Sequence, residues 1–148
     1  MHTILWILLF IITFLVMEFM AWFTHKYVMH GFLWSLHKDH HHKDHDSWWE
    51  RNDLFFIFYA VVSMTCIMTS SPDYFWIGKP IGFGILAYGI AYFIVHDIFI
   101  HQRFKFFRKA NNKYAKAVRR AHKMHHKHLG KDKGENFGML IVPLKYFK

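Results

Sequence analysis

Ten of the fourteen histidines in this chain fall into two matching sets of five. Each set has a pair of histidines separated by four residues, H-x-x-x-x-H, and a later triplet with the spacing H-x-x-H-H. The two sets, in chain order, are His25, His30, His37, His40 and His41, and then His96, His101, His122, His125 and His126. Neutral imidazole is a good ligand for zinc, copper, iron and nickel. The repeated pattern therefore predicts a fold that brings both sets together around metal ions.

The triplet spacing suits a helical metal site, whereas the pair spacing does not. Residues three and four apart share a helix face, so the imidazoles of a triplet spread over only about 100° and can point at one ion. Positions five apart are about 140° from each other on a regular helix. Either the helix is distorted at each pair, or the two histidines of a pair reach different ions. Ten imidazoles exceed what one tetrahedral or octahedral ion can bind, so the sequence predicts two ions.

The ligand type narrows the kind of site. A structural zinc site typically uses thiolates, and soluble di-iron bundles use a Glu-x-x-His pattern; the histidine sets contain neither. Histidine-rich tracts can also serve as metal buffers or transport loops, but those tend to be repetitive. We interpret the four remaining histidines as structural, with His45 kept as a weak further ligand candidate: His2, His42, His45 and His128.

Three carboxylates are candidates for orienting the imidazoles. Glu18 is an ionisable residue within an apolar segment, where such residues are costly and are functional candidates, and it lies about two helical turns before His25. A carboxylate that accepts the second N–H of an imidazole fixes the ring and raises its basicity. Asp97 and Asp39 adjoin histidines of the two sets and could act likewise. The alternative for Glu18 is a carboxylate that reaches the membrane interface or is protonated.

Hydropathy predicts a membrane protein. The three apolar segments are residues 3–23, 54–70 and 77–95. The first is long enough to cross a hydrocarbon core of about 30 Å, and it lacks the basic start and small-residue cleavage site of a signal peptide. We therefore predict one all-α integral membrane domain, at residues 1–148, with about three transmembrane helices and a cytosolic histidine-rich helical cap. The cap would consist of residues 25–52 and 96–148.

Charge predicts the orientation of this domain. Eighteen of the nineteen lysines and arginines lie on one side of the membrane if the chain crosses it three times, the exception being Lys79. Cytoplasmic loops carry the excess of basic residues. The N-terminus is therefore predicted outside and the ten spaced histidines on the cytoplasmic face, in the inner membrane if the protein is bacterial. A basic, aromatic chain can bind nucleic acid, but the apolar segments explain this composition, and we expect no nucleic-acid partner.

Local signals add further expectations. Residues 113–128 contain good helix formers without a breaker, and Gly130 is a stop signal, so a cytosolic helix is predicted there. Gly82, Gly84 and Gly89 would permit close helix packing within the membrane. The tail at residues 134–148 has no pattern that assigns it.

Six segments of the chain together resemble one known family. They are MEFMAWFTHKYVMHG (17–31), LHKDHH (36–41), NDL (52–54), AYGIAYFIVHDIFIHQR (87–103), AHKMHH (121–126) and FGML (137–140). Over nearly its whole length the chain resembles the β-carotene 3-hydroxylase family of bacterial carotenoid hydroxylases, within the membrane-bound, histidine-rich fatty acid hydroxylase superfamily. The order of the histidine units is typical of the superfamily, and the sequence between them indicates the carotenoid hydroxylases.

The resemblance implies a non-haem di-iron monooxygenase that uses O2 to convert β-carotene via β-cryptoxanthin to zeaxanthin. The ten spaced histidines would bind two iron ions, with no catalytic residue beyond the metal centre, and zinc could replace iron in a purified sample. The carotenoid would enter from the bilayer. A ferredoxin or similar reductase would supply electrons, since the chain has no nucleotide-binding or iron–sulfur motif.

Other interpretations remain open on the sequence. One is hydroxylation or desaturation of a different lipid, such as a fatty acyl chain or a sterol. Another is a non-enzymatic metal-binding or transport membrane protein, which would retain metal and turn over no lipid. A basic group of residues could attract an acidic ferredoxin or anionic lipids, or could reflect topology alone: Arg103, Lys105, Arg108, Lys109, Arg119 and Arg120.

Overall fold

The computed structural model describes residues 2–42 and 46–148, and all regular secondary structure in those ranges is helical. Five α-helices follow one another: α1 (His2–Phe23), α2 (Trp34–His41), α3 (Asp53–Met68), α4 (Gly78–Phe93) and α5 (Lys113–His126). Two π-helical segments continue α1 and α4, and a short 3-10 helix lies in the tail: Thr24–Phe32, Ile94–Ile100 and Leu144–Phe147. The predicted all-α class is confirmed.

Two continuous helical runs in the described ranges are long and apolar enough to cross a membrane. Thr3–Phe32 joins α1 to the first π-helical segment, and Gly78–Ile100 joins α4 to the second. α3 is apolar but has only 16 residues, about four fewer than a typical spanning helix needs. The prediction of about three spans requires α3 to cross as well, and it stays a prediction, as does the cytosolic position of the histidine-rich part.

The three apolar helices pack so that the histidine pairs that follow α1 and α4 meet at one end of the bundle. α1 and α4 run parallel, because the Tyr88 hydroxyl in α4 donates to the Glu18 carboxylate in α1 at 2.7 Å and each helix leads into a histidine pair. α3 runs antiparallel to α4, with the Ser63 hydroxyl donating to the Gly82 carbonyl at 2.7 Å. The start of α3 therefore lies at the same end as the histidines. This arrangement brings both sequence sets to one end of the bundle.

Two glycines of α4 allow its close approach to the neighbouring helices. A Cβ at Gly82 would lie 2.8 Å from the Ser63 carbonyl oxygen, and one at Gly84 would lie 2.7 Å from the Cβ of Thr13. Both separations are too short for real contacts, so only glycine fits. Gly89 differs, because its nearest neighbour would be 3.8 Å away. The close-packing prediction therefore holds for two of the three glycines and is wrong for Gly89.

α5 forms where the sequence predicts a helix. The Asn112 side chain accepts a hydrogen bond from the Ala115 backbone N–H at 2.8 Å, which caps the first turn. Ala117 and Ala121 are fully buried, and they pack against Tyr146 of the tail. The second histidine triplet lies in the last turn and a half of the same helix. The helix ends at His126, two residues before the predicted end.

Replacing Gly84 with alanine is expected to destabilise the protein by about 1–3 kcal/mol, the usual cost of overpacking. The added methyl group would collide with Thr13 and with the main-chain oxygen of Phe10. The measurement is the thermal unfolding midpoint in detergent. Gly89→Ala is the matched control, and it should be neutral or stabilising, because alanine is the better helix former. Equal midpoints for the two variants would contradict the close packing of α1 on α4.

Candidate metal centre

π-helical geometry brings the two histidines of each pair close together. A π-turn hydrogen-bonds residue i to residue i+5, and the His101 backbone N–H donates to the His96 carbonyl at 2.9 Å. The ring centroids are 4.5 Å apart for His96 and His101 and 5.3 Å apart for His25 and His30. Of the two explanations for the five-residue spacing, the structure shows the distorted helix.

Nine of the ten spaced histidines form two groups, in each of which one nitrogen per ring lies within 4.8 Å of all the others. The first cluster is His25, His30, His37, His41 and His125. The second cluster is His40, His101, His122 and His126. The tenth histidine, His96, lies beside the second cluster, with its Nε2 3.1 Å from the Nε2 of His40. The structure thus brings all ten predicted ligands together as two adjacent sites.

The clusters do not follow the sequence sets, because each triplet divides between them. His37 and His41 face the first cluster, whereas His40 faces the second. In the later triplet, the outer two histidines belong to the second cluster and His125 belongs to the first. Positions i and i+4 differ by about 40° on a helix, but i+3 and i+4 differ by about 100°, which is wide enough to reach separate ions. The expectation that a triplet converges on one ion is corrected.

The first cluster is oriented by main-chain carbonyl groups. In four of its rings Nδ1 donates to a backbone oxygen: His25 to Phe137 at 3.0 Å, His30 to Lys131 at 2.9 Å, His41 to His128 at 3.2 Å and His125 to Glu135 at 3.0 Å. Because a carbonyl oxygen can only accept, Nδ1 carries the proton and Nε2 of each neutral ring presents a lone pair. Three of these carbonyls belong to residues 131–137, close to the tail that the sequence left unassigned.

The lone pairs of the first cluster converge on one point. Neighbouring Nε2 atoms lie 3.0–3.3 Å apart around the five rings. Without a cation these lone pairs repel, since no proton is left to form a hydrogen bond between them. Metal–nitrogen bonds of about 2.0–2.1 Å place adjacent ligand nitrogens about 3.0–3.4 Å apart. The residues therefore fit a metal ion with Nε2 ligands.

The second cluster also fits a metal ion. The Nε2 atoms of His101 and His122 are 2.8 Å apart, and the buried Nε2 of His126 has no hydrogen-bond partner among the described residues. Buried polar atoms are almost always paired, so an unpaired ring nitrogen aimed at other imidazoles indicates a metal ligand. The clusters adjoin directly, because the rings of His41 and His126 stack at 4.5 Å.

Burial keeps these imidazoles in the neutral form that binds metal. Burial, the largest cause, together with neighbouring imidazoles lowers the pKa of His41 to about 4, of His126 to about 3 and of His125 to about 2. Burial also lowers the pKa of the other rings outside the apolar helices, which are His37, His40, His101 and His122. Metal binding at neutral pH therefore displaces little or no proton from them.

Glu18 holds the C-terminal tail rather than an imidazole. Its carboxylate accepts hydrogen bonds from the backbone N–H groups of residues 139–141 at 2.9–3.0 Å and from the Tyr88 hydroxyl. The expectation that it orients an imidazole directly is corrected, because the tail amides take up both oxygens. Its effect on the site is indirect, since the tail that it anchors supplies the Phe137 carbonyl to His25.

The other two candidate carboxylates lie differently. The Nδ1 of His96 donates to the Asp97 carboxylate at 3.2 Å, as an orienting role requires. Asp39 is buried, and its carboxylate accepts from the Arg51 backbone N–H at 2.7 Å, which fixes the loop between α2 and α3.

Two orienting residues were missed by the sequence reasoning. The Nδ1 of His37 donates to the Asn52 side-chain oxygen at 2.7 Å, and the Nδ1 of His40 donates to the Glu50 carboxylate at 2.9 Å. Both lie between α2 and α3, Asn52 fifteen residues after His37 and Glu50 ten residues after His40. The one signal in the sequence is that Asn52 belongs to the NDL segment, which is among those that resemble the known family; Glu50 has none.

Only some residues of the predicted basic group are available on the surface for a partner. Lys105, Arg108 and Lys109 are exposed. Arg103 is instead paired with three carboxylates, and Arg119 lies over the Phe99 ring and donates to main-chain carbonyls. The remaining member, Arg120, is exposed and donates to the Tyr146 carbonyl.

The histidines interpreted as structural stay outside both clusters where they are described. His42 is exposed, and His128 contributes its carbonyl to His41. His45 lies outside the described residues. His2 begins α1, far along that helix from the histidine pair.

An apolar cavity of about 370 Å³ lies between α1, α3 and α4 and ends at the metal centre. His25 of the first cluster and His96 beside the second form part of its wall. Aliphatic and aromatic side chains such as Met17, Phe55 and Ile85 line most of the remainder, together with a few polar residues that include Asp97 and Arg103. The cavity can therefore hold a hydrocarbon group against both metal sites.

The chain is similar to known hydroxylases. The sequence model described as fatty acid hydroxylase matches residues 10–145. A β-carotene hydroxylase from Paracoccus sp. (strain N81106 / MBIC 01143) is 38% identical over 141 residues, covering 92% of this chain and 83% of that protein. A β-carotene hydroxylase from Pantoea ananas is 39% identical over 142 residues, covering 94% and 80%. No solved structure matches the chain.

Double substitutions test the division of histidines between the clusters. His40→Ala with His122→Ala removes two ligands from the second cluster and is expected to leave one tightly held ion per chain. His40→Ala with His41→Ala removes one ligand from each cluster and should leave none tightly held, although the residues are adjacent. Metal per chain is measured by atomic emission after dialysis against a chelator. His42→Ala is the control and should retain the wild-type content. The same metal content in both double variants would contradict the division.

Glu18→Gln is expected to lower metal affinity about 10–100-fold at the first cluster, as loss of orienting interactions typically does. The amide group would turn donors toward the backbone N–H groups of residues 139–141 and release the tail. The measurement is a metal titration of the metal-free protein. Glu135→Gln is the control, because that side chain is exposed and pairs with Lys145, while only its backbone reaches the cluster. Unchanged affinity in Glu18→Gln would leave Glu18 without a role at the metal site.

Proposed function

Because the chain belongs to the fatty acid hydroxylase family, among relatives that are β-carotene hydroxylases, we propose that it hydroxylates C3 of the carotenoid β-ionone ring. β-Carotene would become β-cryptoxanthin and then zeaxanthin. The relatives' names support the substrate class, and the geometry supports a metal-dependent reaction on an apolar group. We further propose that the enzyme is a non-haem di-iron monooxygenase with O2 as co-substrate.

The observation that carries this proposal is the junction of the apolar cavity with the two histidine clusters. Unactivated C–H bonds offer no group for an acid, a base or a nucleophile to attack, so a metal centre at the end of an apolar cavity is the arrangement that such a substrate needs. Ligand pockets commonly measure about 300–1,000 Å³. A cavity of about 370 Å³ suits one ring of a carotenoid, while the polyene chain would extend away between the helices.

The protein's own residues would hold the metal ions, orient the substrate and exclude water from the site. The ten histidines would hold two iron ions, and these supply the activation of O2 when bound; zinc can occupy the same imidazoles in a purified sample. The carbonyls of the tail and the Glu50, Asp97 and Asn52 side chains fix the imidazole rings. Met17, Phe55 and the other apolar residues of the cavity desolvate the ring of the substrate and direct one edge toward the ions.

The membrane supplies the substrate, and a separate protein supplies electrons. We propose that the carotenoid enters from the bilayer, in which it is soluble. A ferredoxin-type donor would dock on the basic side of the protein, opposite the side from which the carotenoid enters. Lys105, Arg108 and Lys109 are exposed there and could attract an acidic partner or anionic lipid. The excess of basic residues supports a cytoplasmic position for this side and an outside N-terminus.

Expression in a bacterium that accumulates β-carotene tests the function, with pigments separated by chromatography. The expected product is zeaxanthin, with β-cryptoxanthin as an intermediate. Hydroxylated fatty acyl chains or sterols with unchanged pigment would favour another lipid as substrate. Bound metal without any hydroxylated lipid would favour a metal-binding or transport role and would contradict the proposal.

Substitutions in the cavity test whether the substrate binds there. Ala60 lines the cavity, so Ala60→Phe is expected to reduce zeaxanthin formation at least tenfold, which corresponds to about 1.4 kcal/mol, with no loss of metal. Val61→Phe places the same phenyl ring at the next residue, where the side chain is 56% exposed, and it should keep the activity. Equal activity in the two variants would show that the substrate does not use this cavity.

A further inference from the structure

The two clusters differ in what accepts the second N–H of their imidazoles. The first cluster donates to neutral oxygens throughout, namely four backbone carbonyls and the Asn52 side chain. At the second site, which is the second cluster with His96 beside it, the Nδ1 of His40 donates to the Glu50 carboxylate and the Nδ1 of His96 donates to the Asp97 carboxylate. A carboxylate raises the basicity of the imidazole more than a carbonyl does. The two sites therefore differ in electron donation to their ions.

Arg103 connects the two carboxylates that serve the second site. Its guanidinium lies 3.1 Å from Glu50 and 3.1 Å from Asp97, and it forms a two-pronged pair with Asp53 at 2.8 and 3.2 Å. These four side chains are only 10–14% exposed. A buried guanidinium that binds several carboxylates through a planar fork holds them in fixed positions. Arg103 thus sets where both orienting carboxylates lie.

The charges in this group complement a cation. One guanidinium faces three carboxylates, so the group has an excess of negative charge next to His40 and His96. Removing one partner from a buried ion pair is strongly destabilising. Loss of Arg103 would therefore displace the carboxylates that the second site uses.

We propose that the two metal sites are inequivalent, and that Arg103 is the positioning residue that makes them so by holding Glu50 and Asp97 against the second site. The proposal deepens the proposed function, since it rests on the two-ion centre. It does not depend on the substrate. The ion at the second site is held by imidazoles of greater basicity, and its binding depends on Glu50, Asp97 and Arg103. The ion at the first cluster depends on Asn52 and the tail.

Cobalt binding to the metal-free protein in detergent tests this proposal, because Co²⁺ bound to imidazole absorbs visible light. Two backgrounds separate the sites: His125→Ala impairs the first cluster and His122→Ala impairs the second. Glu50→Gln is expected to weaken Co²⁺ binding about 10–100-fold in the His125→Ala background. It should leave binding unchanged in the His122→Ala background. Asn52→Ala is the matched control, and its effects should be the reverse.

Arg103 is tested in the same two backgrounds. Arg103→Met should reproduce the effect of Glu50→Gln, while Arg103→Lys, which keeps the charge and loses the fork, should give a smaller loss. Retained Co²⁺ binding at the first cluster shows that each variant is folded. Equal weakening of both sites would indicate a general structural role, and no weakening at the second site would show that the carboxylates do not support it; either result overturns the proposal. The titration involves no carotenoid, so its outcome is independent of the pigment assay.

Discussion

Repulsion between converging imidazole lone pairs is the constraint on which this structure depends. The hydrogen bonds of Nδ1 to four main-chain carbonyl oxygens and to the Asn52 side-chain oxygen leave each Nε2 in the first cluster without a proton. These Nε2 atoms meet at 3.0–3.3 Å. Cations remove that repulsion. Metal binding would therefore be coupled to folding here, because the ions would join α2 and α5 to the π-helical segments that follow α1 and α4.

The backbone is adapted to this convergence in two ways. Two π-helical segments replace regular helix at the histidine pairs, which lets residues five apart approach one another. The chain after α5 folds back to offer its carbonyl groups, and Glu18 binds that returning chain through the N–H groups of residues 139–141. Glu18, a buried carboxylate in an apolar helix, thus supports the metal site indirectly, through the tail that it binds. Arg103 gives the second site a comparable support through charged side chains.

Much of this could be predicted from the sequence, because spacing and hydropathy are local properties. The ten histidines and the helical class follow from periodicity, which also leaves a distorted helix or separate ions as the two alternatives at the five-residue pairs. The division of each triplet between the two clusters does not follow from periodicity, because it depends on how α2 and α5 are placed relative to both clusters. The roles of Glu50 and Asn52 depend on a loop that returns to the histidines. The tail contributes carbonyl groups, which are present in every residue and leave no sequence signal.

The most direct test of the two-site centre is anomalous X-ray diffraction from crystals of the iron-loaded protein, recorded at the iron edge. The structure predicts two peaks per chain, one among the Nε2 atoms of the first cluster, including His125, and one among those of the second, including His40. Ligand distances should be about 2.0–2.2 Å. A single peak, or a peak at the first cluster bound by His40 instead of His125, would contradict the account.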